Sequence, residues 1–205
     1  MRTTLIWTAK GGGGKSTLTR ELAVAGSLAG RRVAVVDLDP QGSLTGWYGR
    51  RQADTPALVT TPPGTWDPIA AAGFAELFID TPPGLPEGWR RLVASVDVVI
   101  VPVRPSPDDL LAAAATAERL AGAAAAWAFV LTQAPPRSRL ADGAVRQLAA
   151  MGRLAPVTIG FRTDYPTAAV TGMAAVEYPG TKAAEEIADL RKYVESLRSG
   201  RDEQT

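Results

Sequence analysis

The sequence predicts a single α/β domain, a mostly parallel sheet with helices on both faces. Three observations lead there. Short β-branched apolar runs alternate with helical stretches along the chain, the order that builds parallel βαβ units. Several runs are apolar throughout rather than at every second residue, as strands buried on both faces are. Length agrees: 205 residues make about one domain, able to bury roughly 70% of its unfolded surface without disulfides or metals.

In chain order, strands are expected over residues 3–8, 33–37, 76–80, 96–103, 127–132 and 157–159. Helices are expected over 15–29, 89–94, 107–122, 140–151 and 182–198. The alanine-rich stretch 110–128 is a small-residue helix that packs closely on the sheet. The last helix carries Ile187, Leu190, Val194 and Leu197 along one stripe. Loops fall at 55–68, with four prolines, and at 102–107, with three; proline removes the donor a sheet needs. The domain is expected to span 1–198, with a polar tail over 199–205. Right-handed crossovers place all strand C-termini at one edge, where such folds bind ligands.

Composition removes whole chemistries. The chain has no cysteine and no histidine, which excludes thiol nucleophiles, iron–sulfur ligation and histidine-based triads. With no disulfide framework and no apolar run of membrane-spanning length, the expected location is the cytoplasm. Net charge is +1 but unevenly spread: residues 137–162 hold five arginines and one aspartate. Lysine is scarce, four against eighteen arginines, yet Lys10 and Lys15 share one six-residue window. A compact ammonium is required there.

That window is Lys10-Gly11-Gly12-Gly13-Gly14-Lys15-Ser16-Thr17, directly after the first strand and opening a helix. Such glycines let successive N–H groups converge on phosphate oxygens, and the helix N-terminus adds its positive end. In this P-loop, Lys15 would reach the β- and γ-phosphates and the Ser16 hydroxyl would ligate Mg²⁺. Three acid-bearing segments follow in order: Asp37-Leu38-Asp39-Pro40-Gln41, Phe78-Ile79-Asp80-Thr81-Pro82, and Pro102-Val103-Arg104-Pro105-Ser106-Pro107-Asp108.

A lysine at position 10, with Ala9 where the standard P-loop has its first glycine, is a deviant Walker A motif. The chain thereby resembles the ParA/MinD family of P-loop ATPases, and most nearly its small, ParF-like plasmid partition members. The resemblance runs from Leu5 to about Leu197; Trp7-Thr8-Ala9 departs from the family's Asn-Pro type of lead-in. It implies ATP/ADP and Mg²⁺ as ligands, with Lys15 acting in cis and Lys10 across a dimer interface. It assigns Asp39 to the attacking water, with a possible water-mediated contact to the metal, and Asp80 to Mg²⁺ through water. It sets the loop with Pro105, Pro107 and Asp108 against the adenine.

Partition by this family implies an ATP-dependent sandwich homodimer that holds DNA non-specifically near the nucleoid. A ParB-like or other adaptor then triggers hydrolysis and release. Arg162, Lys182, Arg191, Lys192 and Arg198 are the candidate DNA contacts, ahead of Arg137, Arg139, Arg146 and Arg153. Positioning of a protein cargo by the same cycle is the alternative. A MinD-like membrane cycle is disfavoured, since the tail is polar and no membrane partner is expected.

Overall fold

The computed structural model describes residues 1–61, 72–84 and 87–202, with side chains to residue 199. Six strands are present: β1 (Arg2–Ile6), β2 (Val33–Asp37), β3 (Ala57–Leu58), β4 (Glu76–Asp80), β5 (Val98–Val103) and β6 (Ala126–Leu131). They form one sheet in the order β3-β2-β4-β1-β5-β6, every pair parallel. The helices are α1 (Lys15–Leu28), α2 (Ser43–Tyr48), α3 (Trp89–Ala94), α4 (Pro107–Leu120), α5 (Arg139–Met151), α6 (Asp164–Val170) and α7 (Lys182–Asp202).

The sheet divides the core by residue parity. Val35, Phe78, Ile100 and Val130 meet Leu18 and Leu22 of α1 and the Ile187, Leu190, Val194, Leu197 stripe of α7. Their neighbours Val36, Ile79, Val101 and Phe129 meet Leu92 of α3, Ala113 of α4 and Leu148 of α5. Both faces are therefore dry, which is why these strands lack polar alternation. Alanines at positions 113 and 144 bring α4 and α5 close to the sheet.

Four expectations are corrected. Residues 157–159 form no strand; Pro156 has no N–H to extend a ladder, and the isolated bridges to β6 and the residues after it lie on either side of the segment, Phe129 to Leu154 and Ala134 to Gly160. The loop expected over 55–68 contains β3, and its part from residue 62 lies outside the described residues. Helix α2 was not anticipated; the Asp37 carboxylate, which accepts from the N–H and hydroxyl of Thr45 at 2.8 and 3.0 Å, holds its first turn. Helix α7 continues to Asp202, past the expected boundary at 198.

The unusual lead-in at Trp7 is a packing device. Its indole is 1% exposed, stacks on Trp89 with ring centroids 5.5 Å apart, and donates to the Gly84 carbonyl at 2.9 Å. Ala9 accepts from the Gly84 N–H at 2.8 Å. The chain leaving β1 is thus pinned to the segment that follows β4.

Candidate nucleotide site

The ends of three adjacent strands set the site. Register places Ile6 of β1 and Asp37 of β2 on either side of Asp80 of β4. The loop leaving β1 turns through Gly12 and Gly14, at φ 77° and 94°, a region only glycine enters without strain. Its carbonyls are tied to the protein: Gly12 O accepts from Gln133 Nε2 at 2.7 Å and Gly13 O from Thr132 Oγ1 at 2.9 Å. Gly14 gives α1 no side-chain cap, leaving the first-turn N–H groups for an anion.

Lys15 opens α1 and is 7% exposed. Burial pushes its ammonium below the usual lysine range, against the opposing pull of Asp80 and Asp39. Asp80 is fully buried, and its pKa is pushed up to about 7, chiefly by burial. The Ser16 hydroxyl and Lys15 pull it down, while Asp37 and Asp39 push it further up. One Asp80 oxygen accepts from the Thr81 N–H at 3.1 Å; the other has no hydrogen-bond partner among the described residues. Asp39 accepts from the Gln41 N–H at 2.9 Å, which orients its carboxylate beyond the end of β2.

An orphaned buried carboxylate oxygen beside a serine hydroxyl fits Mg²⁺, a hard cation that takes few protein ligands and fills its shell with water and phosphate.

Beside the start of α1 lies a cavity of about 240 Å³, walled by Gly14, Thr17, Gln133, Ile159, Arg162 and Tyr165 among others. Pro105, Pro107 and Asp108 are not part of this wall. The loop after β5 turns to the other flank of the P-loop, where Asp108 meets Lys10 and Pro107 heads a groove between α4 and α5. The loop expected against the adenine thus lies apart from this cavity. Of these, Gly14 and Thr17 were expected at the nucleotide and Arg162 at DNA; Gln133, Ile159 and Tyr165 were not singled out as site residues, since only the fold brings their segments to the P-loop.

The residues expected to contact DNA stand in different environments. Arg191 pairs with buried Glu76 through two 3.0 Å hydrogen bonds, and Arg198 is 5% exposed, with its guanidinium over the Phe78 ring. Both are internal. Arg162 is clamped on Glu186 at 2.7 and 3.0 Å and faces the cavity. Lys182 and Lys192 are exposed, each paired one turn away, with Glu185 and Asp189 at 2.9 Å. Arg137, Arg139, Arg146 and Arg153 are exposed and form no ion pair among the described residues.

Residues 4–201 match the model of the CobQ/CobB/MinD/ParA nucleotide binding domain. The chain is 31% identical to maintenance of carboxysome distribution protein A of Halothiobacillus neapolitanus, over 87% of this chain and 89% of the relative. The protein of that name from Gloeobacter kilaueensis is 31% identical over 96% and 94%. Among solved structures, the cell division ATPase MinD of Pyrococcus furiosus superposes with a TM-score of 0.77 at 23% identity, covering 96% of this chain and 99% of that one.

Proposed function

Since the chain belongs to the CobQ/CobB/MinD/ParA family of nucleotide-binding ATPases, we propose that it is a ParA-type positioning ATPase that distributes a protein cargo. The carrying observation is the 31% identity, along 96% of the chain, to a carboxysome-distribution protein. It favours protein cargo over the plasmid cargo that the motifs first suggested. The apolar stripe of α7 is buried, Ile187 and Leu190 completely, which argues against a surface-seeking membrane helix. No helix among the described residues is long and apolar enough to cross a membrane.

In the proposed cycle the P-loop N–H groups and Lys15 bind the phosphates of ATP, and the cavity beside Thr17 and Tyr165 receives the adenine. Ser16 and the free oxygen of Asp80 hold Mg²⁺, directly or through water. Bound there, the ion neutralises charge on the phosphates. Asp39 orients the attacking water, and catalysis otherwise consists of positioning and electrostatics. Lys10 crosses to the nucleotide of a second copy, so ATP closes a dimer. The dimer holds DNA, and an adaptor carried by the cargo stimulates hydrolysis.

Asp39→Ala is expected to bind ATP and dimerise, while turnover falls by about a hundredfold or more. Single-turnover hydrolysis at the wild-type rate would remove Asp39 from the mechanism.

DNA contact falls to the exposed arginines on and around α5. ATP-dependent binding to random duplex is expected, with its salt slope reduced by about 0.9 for each phosphate contact removed. Replacing Arg146 and Arg153 together should flatten that slope, whereas replacing Lys182 and Lys192 should leave it largely intact. Anisotropy across a salt series reads both, and an unchanged slope in the arginine variant would move the DNA face elsewhere.

Cargo class is tested in the host cell. On deletion of the gene, protein-shelled bodies should cluster while plasmids are inherited normally. Plasmid loss with bodies evenly spaced would restore the partition reading.

A further inference from the structure

The mouth of the P-loop holds a second cation besides Lys10. Arg104, just after β5, grips Asp109 with both edges of its fork, Nε to Oδ1 at 3.0 Å and Nη2 to Oδ2 at 3.2 Å. The same guanidinium lies against bare loop backbone: Nη2 is 3.5 Å from the Gly11 carbonyl, and a Cβ built on Gly12 would stand 3.2 Å from Nη1. Asp109 is 5% exposed and also takes the Ser106 hydroxyl and, at 3.3 Å, the Lys10 ammonium. Lys10 reaches Asp108 as well, at 3.5 Å, on an acid whose side chain is 82% exposed.

One carboxylate thus binds two cations unequally. Arg104 is held by a close, bidentate fork, the strong geometry for this pair. Lys10 is held by longer contacts on a side chain 35% exposed, the weaker and more screened kind. Burial alone would push the Asp109 carboxyl up, but Ser106, Arg104 and Lys10 together hold it below the usual aspartate range. First-turn acids also favour the N-terminus of α4. That explains their position in α4, not their grip on cations from two other loops.

We propose that Asp109 is the positioning residue of this site: it parks Lys10 in cis in the nucleotide-free chain, and Arg104 keeps it paired when Lys10 departs for the partner's nucleotide. A buried carboxylate stripped of every cation is strongly unfavourable, so release of Lys10 depends on Arg104 staying. Asp108 adds a weaker, solvent-facing hold. The proposal rests on the dimer reading above and names what opposes dimerisation within each chain.

The two flanking residues then have opposite effects. Asp108→Asn loosens the hold on Lys10, and ATP-driven dimerisation should reach its midpoint at several-fold lower protein concentration. Arg104→Gln leaves Asp109 dependent on Lys10, and the midpoint should rise about tenfold, well beyond any change in monomer affinity for a fluorescent ATP analogue. Raising salt should narrow the difference between wild type and Asp108→Asn, because the exposed contact is the screened one. A general loss of structure would move both variants the same way. Sedimentation velocity with ATP and Mg²⁺ measures the midpoints. Shifts of the same sign, or no shift in Asp108→Asn, would overturn the latch while leaving the dimer standing. A wild type that stays monomeric at saturating ATP would overturn the dimer reading itself, and the latch with it.

Discussion

Lys15→Ala is expected to abolish saturable ATP binding at concentrations that fill the wild type. The ammonium is buried at the start of α1, with Asp80 and Asp39 as its nearby counter-charges. Phosphate oxygens would add to a cation already placed by the fold, so little ordering is needed on binding. Losing a charge-assisted contact of about 3 kcal/mol lowers affinity on the order of 100-fold. A second loss compounds it. Asp80 already stands at about 7 because burial disfavours its charge, and without Lys15 it moves further towards the neutral form that holds Mg²⁺ poorly. Lys10→Ala should behave differently, keeping much of the binding and losing ATP-dependent dimerisation, since Lys10 lies at the mouth of the loop on Asp108 and Asp109. Titration with a fluorescent ATP analogue separates the two. Equal loss in both variants would refute the cis and trans assignment.

Legibility in the sequence followed contiguity. The phosphate loop was readable because one run, Gly11 to Thr17, supplies its backbone, its cation and its hydroxyl. Asp80 was readable because the apolar run Leu77-Phe78-Ile79 ends in a carboxylate at the sheet edge that also carries that loop. The cavity beside α1 was not, since its walls join residues 14–18, 132–133 and 159–166, whose proximity only the fold creates. The Asp109 cluster was half visible. Asp108 was singled out with its proline loop, as a contact to the adenine, but the fork between Arg104 and Asp109 needs the turn after β5 to bring them face to face. Helix α2 escaped because Gly46 weakens its helical signal and its first turn is held by Asp37, a side chain from outside the helix.

The charges of α7 were misread for a reason that the sequence did contain. Arg191 and Arg198 follow the spacing of Ile187, Val194 and Leu197, so they belong to the inward stripe. Their partner Glu76, the first residue of β4, is distant in sequence and 1% exposed. Burial pushes the Glu76 carboxyl up, yet hydrogen bonds from Arg191 and the charges of Arg191, Arg198 and Arg31 outweigh it and hold the group below its ordinary value. Gly26 of α1 leaves the room: a Cβ there would stand 2.9 Å from Arg191 Nη1 and 3.2 Å from Glu76 Oε2.

Glu76→Ala is therefore expected to cost about 3–5 kcal/mol, the usual result of removing one partner from a buried ion pair. That is a large share of the roughly 5–15 kcal/mol that holds a domain folded. Arg198 sharpens the loss, since its Nε and Nη1 already lack hydrogen-bond partners among the described residues and Glu76 is the anion nearest its charge. The pH dependence has a definite sign. A carboxyl whose folded pKa is depressed stabilises fully above its unfolded value, near 4.5, and loses that contribution as pH falls through the folded value. The gap between wild type and Glu76→Ala should accordingly be widest near neutrality and close in acid. Urea unfolding across pH measures it, and a cost below about 1 kcal/mol at neutral pH would contradict a structural role. Adding Arg198→Leu to a Glu76→Leu chain should recover part of the stability, because it removes the most deeply buried of the arginines that Glu76 faced. The same geometry governs any search for the DNA face. Arg191 and Arg198 variants will lose duplex binding through unfolding, with the salt slope of the surviving folded protein unchanged, whereas the exposed arginines around α5 should change the slope and leave the urea midpoint alone.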